Sequence, residues 1–193
     1  MFEAFQNSFL RDEALSVDND GVAPQSALAG WNELIDRFGG GSFGQGLYRV
    51  IRGSDLDAWN QRVANAFPAF SGRVTCFGFD WLGRALAVDA ARLEGGEPGV
   101  VLFEPGTGEA LEIPCSIATF HDEELIDYAD AALAGDFHEA WLSNGGSAPR
   151  HDQCVGYRKP LFLGGDDDLD NLELSDIDVY WHLMGQLIAR AGG

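Results

Sequence analysis

The sequence predicts an α+β fold in a single domain of 193 residues, a central antiparallel sheet flanked by helices with a short helical N-terminal extension. Three observations lead there. Between residues 74 and 113, four short strand-like apolar runs follow one another, separated by tight turn signals. Apolar residues at helical spacing precede and follow that block. The two kinds of pattern do not alternate one for one, which argues for an antiparallel meander over βαβ units.

In chain order, Phe2, Phe5, Phe9 and Leu10 have the spacing of a short amphipathic helix. The polar stretch from Ser16 to Pro24 reads as a linker, so residues 1–23 are the expected extension. Pro24 suits the first turn of a second helix. Its stripe is Leu28, Trp31, Leu34, Ile35 and Phe38, and Gly39-Gly40-Gly41 ends it. Residues 46–51 alternate as a strand. Ser54, with Asp57 three positions on, suits the cap of a third helix through Trp59, Val63 and Phe67 to Pro68.

The β block then runs from Val74 to Phe79, turns at Asp80–Gly83, and returns over Ala85 to Val88. A turn at Glu94–Gly99 leads to Val100–Phe103, and a tight turn at Pro105–Gly108 leads to Leu111–Ile113. Two helical pieces follow, Glu124–Leu133 and Phe137–Leu142, and a glycine-serine loop covers Ser143–Arg150.

Next, Val155-Gly156-Tyr157 alternates. Pro160–Leu163 reads as an apolar sheet edge or strand end, because proline cannot donate to a ladder. Gly164-Gly165 breaks it. The densest acidic cluster follows, Asp166, Asp167, Asp168 and Asp170, and then Leu172 and Leu174 alternate with Glu173. From Ile177 the period becomes helical through Tyr180, Trp181, Met184, Leu187 and Ile188. Ser175 or Asp176 can cap this helix, Asp178 suits its first turn and Arg190 its last.

A chain of this length buries roughly 70% of its unfolded surface, enough for a full core. Its charge is unusual: 31 acidic against 12 basic residues give −19. That disfavours direct contact with nucleic acid or an anionic membrane, where cations must meet phosphate. It suits a basic partner, or high solubility alone. Cys76, Cys115 and Cys154 are odd in number and far apart, which argues against a disulfide framework and fits a reducing cytosol. Glu3 stands where a secretory leader would be basic, and no apolar run reaches the ~18 residues of a membrane helix. A cytoplasmic protein is therefore expected.

Motifs that could carry chemistry fail on context. Gly39, Gly41 and Gly44 spell GxGxxG, and Gly40, Ser42 and Gly44 spell GxSxG. Both require a strand before the turn and a helix after it, and the order here is reversed. Asp166, Asp168 and Asp170 alternate as in a calcium loop, but Asn171 and Ile177 stand where Gly and Glu are needed; a weaker oxygen-ligand site is the remaining cation reading. His121, His138, His151 and His182 lack metal spacing, and His151 with Cys154 has no second pair. His121-Asp122-Glu123-Glu124 has residue types for acid–base work, yet acids at a helix start are explained by the dipole. No catalytic residue, metal or cofactor is assigned. The acidic turn is either a solvated loop or a partner-facing patch. Trp81, at a turn, either packs a corner or serves as an exposed binding anchor.

The runs CVGYRKPLFLGG (154–165) and LDNLELSDIDVYWHLMGQL (169–187) resemble the C-terminal region of bacterial immunity proteins that neutralise type VI secretion DNase effectors. That family pairs this region with a GAD-like N-terminal segment. The resemblance extends through Trp31, GQGLYRVI (44–51), FGFDWLGR (77–84) and VLFEPGTGEALEIP (101–114). It implies a SUKH-like fold and a role in toxin neutralisation, with no catalytic residues to transfer.

The expected function is therefore an immunity protein that blocks a cognate toxin, a basic nuclease, by stoichiometric binding. Asp166, Asp167, Asp168 and Asp170 are the expected contacts, Glu123, Glu124 and Asp127 a second patch, and Trp81 a candidate anchor. The alternatives are a general interaction module of the same fold with a non-toxin partner, and a hydrolase using His121 or His151 with nearby carboxylates.

Overall fold

Six antiparallel strands form the centre, each paired with the next in sequence: β1 (Ser42–Phe43), β2 (Tyr48–Val50), β3 (Val74–Asp80), β4 (Ala85–Glu94), β5 (Glu97–Glu104) and β6 (Glu109–Ser116). The computed structural model describes residues 1–21 and 25–191. Short local turns dictate this meander. Gly95 and Gly96 both have positive φ, 60° and 93°, so β4 and β5 join through a two-residue turn whose twist matches the strands. The strands therefore reach Glu94 and Glu97, and the broad turn expected at Glu94–Gly99 shrinks to two residues. β3 carries a register shift between Cys76 and Gly78, where a Cβ on Gly78 would lie 2.5 Å from the Tyr48 hydroxyl. Only glycine lets that ring lie across the strand.

The N-terminal helices are α1 (Glu3–Ser8), α2 (Trp31–Phe38) and α3 (Leu56–Ala66). α2 buries Trp31, Leu34, Ile35 and Phe38, as its spacing predicted, but it starts at Trp31 after a left-handed Gly30, so Leu28, expected in its stripe, falls before the helix; Pro24 itself lies outside the described residues. α1 is a core element more than an extension. Phe2 and Phe5 are fully buried against Phe38 and His121. Asp122 accepts hydrogen bonds from the backbone N–H of Phe2 (2.8 Å), Ala4 (3.1 Å) and Phe5 (3.2 Å), satisfying a helix start that has no local cap. Leu10 falls outside the helix and is 78% exposed. The linker reading holds for Ser16–Gly21 only in lacking regular structure, since Val17 N–H donates to Gly40 O at 2.9 Å and Ser16 Oγ accepts from Ser42 N–H.

α3 is preceded by a 3₁₀ turn, Gly53–Asp55, and Ser54 does not cap it. The Ser54 hydroxyl donates to Asp20 at 2.8 Å. After β6 a Ser116–Thr119 capping box starts α4 (Ile117–Thr119), then come a π-helical turn (Phe120–Glu124), α5 (Leu125–Asp127), α6 (Ala129–Leu133) and α7 (Gly135–Ser143). The single helix expected over Glu124–Leu133 is broken because Tyr128 leaves helical geometry, and Ala134 at φ 52° separates α6 from α7. β7 (Gln153–Tyr157) and β8 (Leu172–Asp176) form a separate antiparallel pair. Pro160–Leu163 is a correction: Leu161–Leu163 forms a 3₁₀ turn closed by Gly164 at φ 79°, and Leu161 N–H donates to Gly106 O. α8 (Ile177–Ala191) closes the chain, with Asp176, not Ser175, accepting from Val179 N–H at 3.0 Å.

A main core runs from Phe2 to Met184, and a smaller one gathers Trp81, Leu82, Val155, Tyr157 and Leu172 beneath α7. Arg49 ties the two sheets together. Fully buried, it donates to the carbonyls of Asp80 (2.5 Å), Arg150 (2.7 Å) and Gln153 (2.6 Å), and its guanidinium lies over Phe79. Burial lowers its pKa to about 10, so it stays charged at neutral pH. Nothing in the periodicity of β2 marks this arginine as internal.

Candidate functional site

The acidic stretch is a constructed turn between β7 and β8. Leu169 is partly buried against the smaller core and anchors it. The Asp168 carboxylate accepts from Asn171 N–H at 3.1 Å and so caps the 3₁₀ turn Leu169–Asn171. The Tyr157 hydroxyl donates to Asp167 at 2.6 Å. Asn171 Nδ2 donates to the carbonyls of Lys159 and Asp166, at 2.9 and 2.8 Å. Gly165 must be glycine, since a Cβ there would lie 2.0 Å from Lys159 O.

All four aspartates are exposed, yet two have internal work. Among the described residues, the carboxylates of Asp166 and Asp170 make no hydrogen bond or ion pair. They do not converge into a cation cage, and no group of three or more His, Cys, Asp or Glu among the described residues is placed to hold a metal.

The fold adds neighbours that sequence reasoning missed. Asp167 shares a shallow recess of about 290 Å³ with Asp130, Asp136, Ala134 and Phe137. Asp130 accepts from Asp136 N–H at 2.8 Å, which fixes the bend between α6 and α7. Half-buried Glu104 feels Asp167: burial raises its pKa, Arg84 opposes, and Asp80, Asp167 and Glu109 add to the rise. Only the general density of acids in 127–136 could have hinted at this grouping.

The second expected patch lies elsewhere. Glu123 and Asp127 are exposed and Glu124 half-buried, on the π-helical turn and α5. Burial raises the Cys115 thiol to about 12, with the charges of Glu124, Glu94 and Glu123 adding to it and Arg92 opposing. Trp81 is a correction. It is fully buried, its indole N–H donates to Leu133 O at 3.0 Å, and its ring meets Phe137 and His138. It packs a corner and offers no surface to a partner.

The histidines of the hydrolase reading are also internal. His121 is fully buried, with Nε2 2.9 Å from the Tyr48 hydroxyl and Nδ1 2.7 Å from Ile117 O. His151 packs edge-on to Phe79. Burial pushes His121, His138 and His151 down to about 4. Unfolded, these rings titrate near 6.5, so the unfolded chain binds more protons between those values. Stability is then full above pH ~6.5 and falls towards pH ~4, by up to about 1.4 kcal/mol per unit per ring. Asp80 and Glu104, raised by burial, oppose this over part of the window. The expected result is a melting temperature that drops from pH 7 to pH 4.5, with a shallower slope in His121→Asn whatever its absolute stability. A wild-type curve flat over that range, with His121→Asn parallel to it, would overturn the histidine contribution.

Residues 119–188 match the family described as T6SS immunity protein Tdi1, C-terminal. No curated protein matches the chain. Among solved structures, the crystal structure of Atu4351 from Agrobacterium tumefaciens is similar in fold, with TM-score 0.58 and 16% identity over 96% of this chain and 89% of that one. No helix among the described residues is long and apolar enough to cross a membrane.

Proposed function

We propose that the chain binds a cognate DNase toxin and silences it by stoichiometric occlusion, because residues 119–188 match the family described as T6SS immunity protein Tdi1, C-terminal. The family match is the observation that carries this reading. The charge supplies a physical route. A nuclease must attract phosphate and is locally basic, and a chain of net charge −19 is steered towards such a surface. Among the described residues, Asp166 and Asp170 present unpaired carboxylates. The recess of Asp130, Asp136 and Asp167 beside Phe137 suits a lysine or arginine with its aliphatic stem. Glu123, Glu124 and Asp127 form a smaller, separate patch. The site of action is the cytoplasm, where the DNA lies.

Co-expression with the neighbouring toxin gene tests this. Growth should be restored, the two proteins should co-purify, and inhibition should saturate at a fixed ratio. Trace amounts that inactivate excess toxin would replace occlusion with an enzymatic role. The turn makes a finer prediction. Asp166→Lys with Asp170→Lys should leave stability nearly unchanged, because exposed charges are worth only ~0–1 kcal/mol. The pair should slow association and flatten its salt dependence, as steering acts on encounter over the ~10 Å screening length at 0.1 M. Asp168→Lys should instead cost about 1 kcal/mol through the lost cap. Equal association rates and equal salt slopes for wild type and the double variant would leave the turn a solvated loop.

A further inference from the structure

The two edges of the six-stranded sheet differ. At β1 the chain closes its own edge: Arg11 pairs with Phe43 in an antiparallel bridge, and Asp12 N–H donates to Ser42 O at 2.8 Å. At the opposite end β6 pairs with β5 alone. In an antiparallel ladder alternate residues turn their N–H and C=O away from the partner strand, so an edge strand offers a row of them. Among the described residues, no backbone group of Ala110, Leu111 or Glu112 bonds anything beyond β5. Glu109, Leu111, Glu112 and Pro114 are exposed, Leu111 at 42%. Pro114 has no N–H and ends the usable ladder, which leaves residues 109–113, a stretch of ordinary strand length.

The charge along this edge has one sign. From Leu93 to Pro149 the sequence contains no Lys or Arg. Glu109 and Glu112 stand on β6, and Glu97 begins β5 beside it. Past the far end of β6 the row continues, because the charges of Glu94, Glu123 and Glu124 all act on the Cys115 thiol. Two arginines approach from β4 and the loop before β3. Arg92 is matched by Glu94 and donates to the carbonyls of Val100 and Ile113, with Glu112 3.8 Å away, and Arg73 is matched by Asp89. Glu97, Glu109, Glu112, Glu123 and Glu124 remain in excess, so the edge is net negative.

We propose that the β6 edge takes an extended basic segment of the toxin, which adds a seventh strand to the sheet. The backbone of that segment completes the ladder, and its Lys or Arg side chains meet Glu109 on one face and Glu112 on the other. Charge complementarity selects this occupant. Opposite charges across a strand pair are favourable and like charges are not. An acidic segment is therefore repelled, and a second copy of this chain pairing edge to edge would bring two glutamate-bearing strands together. The proposal rests on the toxin-binding reading above, and names a surface for it and the conformation of what meets that surface. Main-chain bonds made on docking act on dissociation, where long-range steering acts on encounter.

Hydrogen exchange of the full chain, alone and with its co-expressed toxin, tests this without a substitution. Outward-facing amides within residues 109–113 should exchange fast in the free chain and at least tenfold more slowly in the complex. Glu109→Lys with Glu112→Lys, at two exposed side chains and with folding checked by an unchanged melting curve, should speed dissociation at least tenfold. Asp166→Lys with Asp170→Lys should leave the β6 protection in place. A complex that forms while β6 exchange is unchanged overturns the edge alone, whatever the variants do. Protected β6 amides with wild-type dissociation in the glutamate variant overturn the basic occupant. A wild-type chain that forms no complex overturns the toxin-binding reading and the edge with it. Protection of β6 in the free chain that grows with its concentration would assign the edge to a second copy instead.

Discussion

Trp181→Ala is expected to lower the unfolding free energy by about 3–5 kcal/mol, the usual cost of emptying a large aromatic site. Trp181 is 2% exposed, its indole N–H donates to Gly83 O at 2.8 Å, and its ring meets Trp59 and Phe67 edge-on. The residue therefore joins α8 to α3 and to the β3–β4 turn together. The loss combines a cavity with an unsatisfied carbonyl, and neighbours drawn from three elements cannot all collapse into the gap. Urea unfolding monitored by far-UV circular dichroism measures it. A change under 1 kcal/mol would mean that α8 is held by its other contacts and that the closing helix is loosely seated.

Arg84→Met should cost a similar amount, about 3–5 kcal/mol, for an electrostatic reason. Asp80 is fully buried, and its two oxygens accept from Arg84 N–H (2.9 Å) and Arg84 Nε (2.5 Å). Burial raises the Asp80 pKa, and Arg84 and Arg49 oppose that rise. Burial also works against the Arg84 charge, but Asp80 outweighs it and the pKa of Arg84 ends above its ordinary value. Removing the guanidinium strands a carboxylate in the interior, which must then stay charged without its partner or take up a proton. Asp80→Leu combined with Arg84→Met removes both charges and should cost clearly less than Arg84→Met alone. If the double variant were the less stable, the pair would be a net source of stability and not a mutual compensation.

Much of the fold was legible because its signals are local. The α2 stripe, the β4–β5 run of apolar residues and the α8 face were each read from spacing within one element. Errors arose where a distant group decided the outcome. Ser54 has the side chain of a cap but bonds Asp20, 34 residues away. Pro160–Leu163 is apolar enough for a strand, yet Gly106 O captures Leu161 N–H and Gly164 turns the chain. Trp81 follows a strand in a turn, but α6 and α7 cover it, Leu133 from 52 residues further on.

The amino-acid sequence by itself determined the order of helices and strands, the excess of acid and the resemblance to a family of immunity proteins. Those properties depend on periodicity, composition and short motifs, all readable within a few residues. The tertiary structure alone decided which aspartates of one acidic run are free. Asp167 is bound by Tyr157 and Asp168 by Asn171, while Asp166 and Asp170 are left to solvent. It alone placed Asp130 and Asp136 beside Asp167, and made Phe2 and Phe5 core residues under Asp122. Hydrogen bonds and ion pairs act over about 3 Å in space; apart from the local pairs within the acidic turn, these contacts join residues tens to more than a hundred positions apart that no local pattern can bring together.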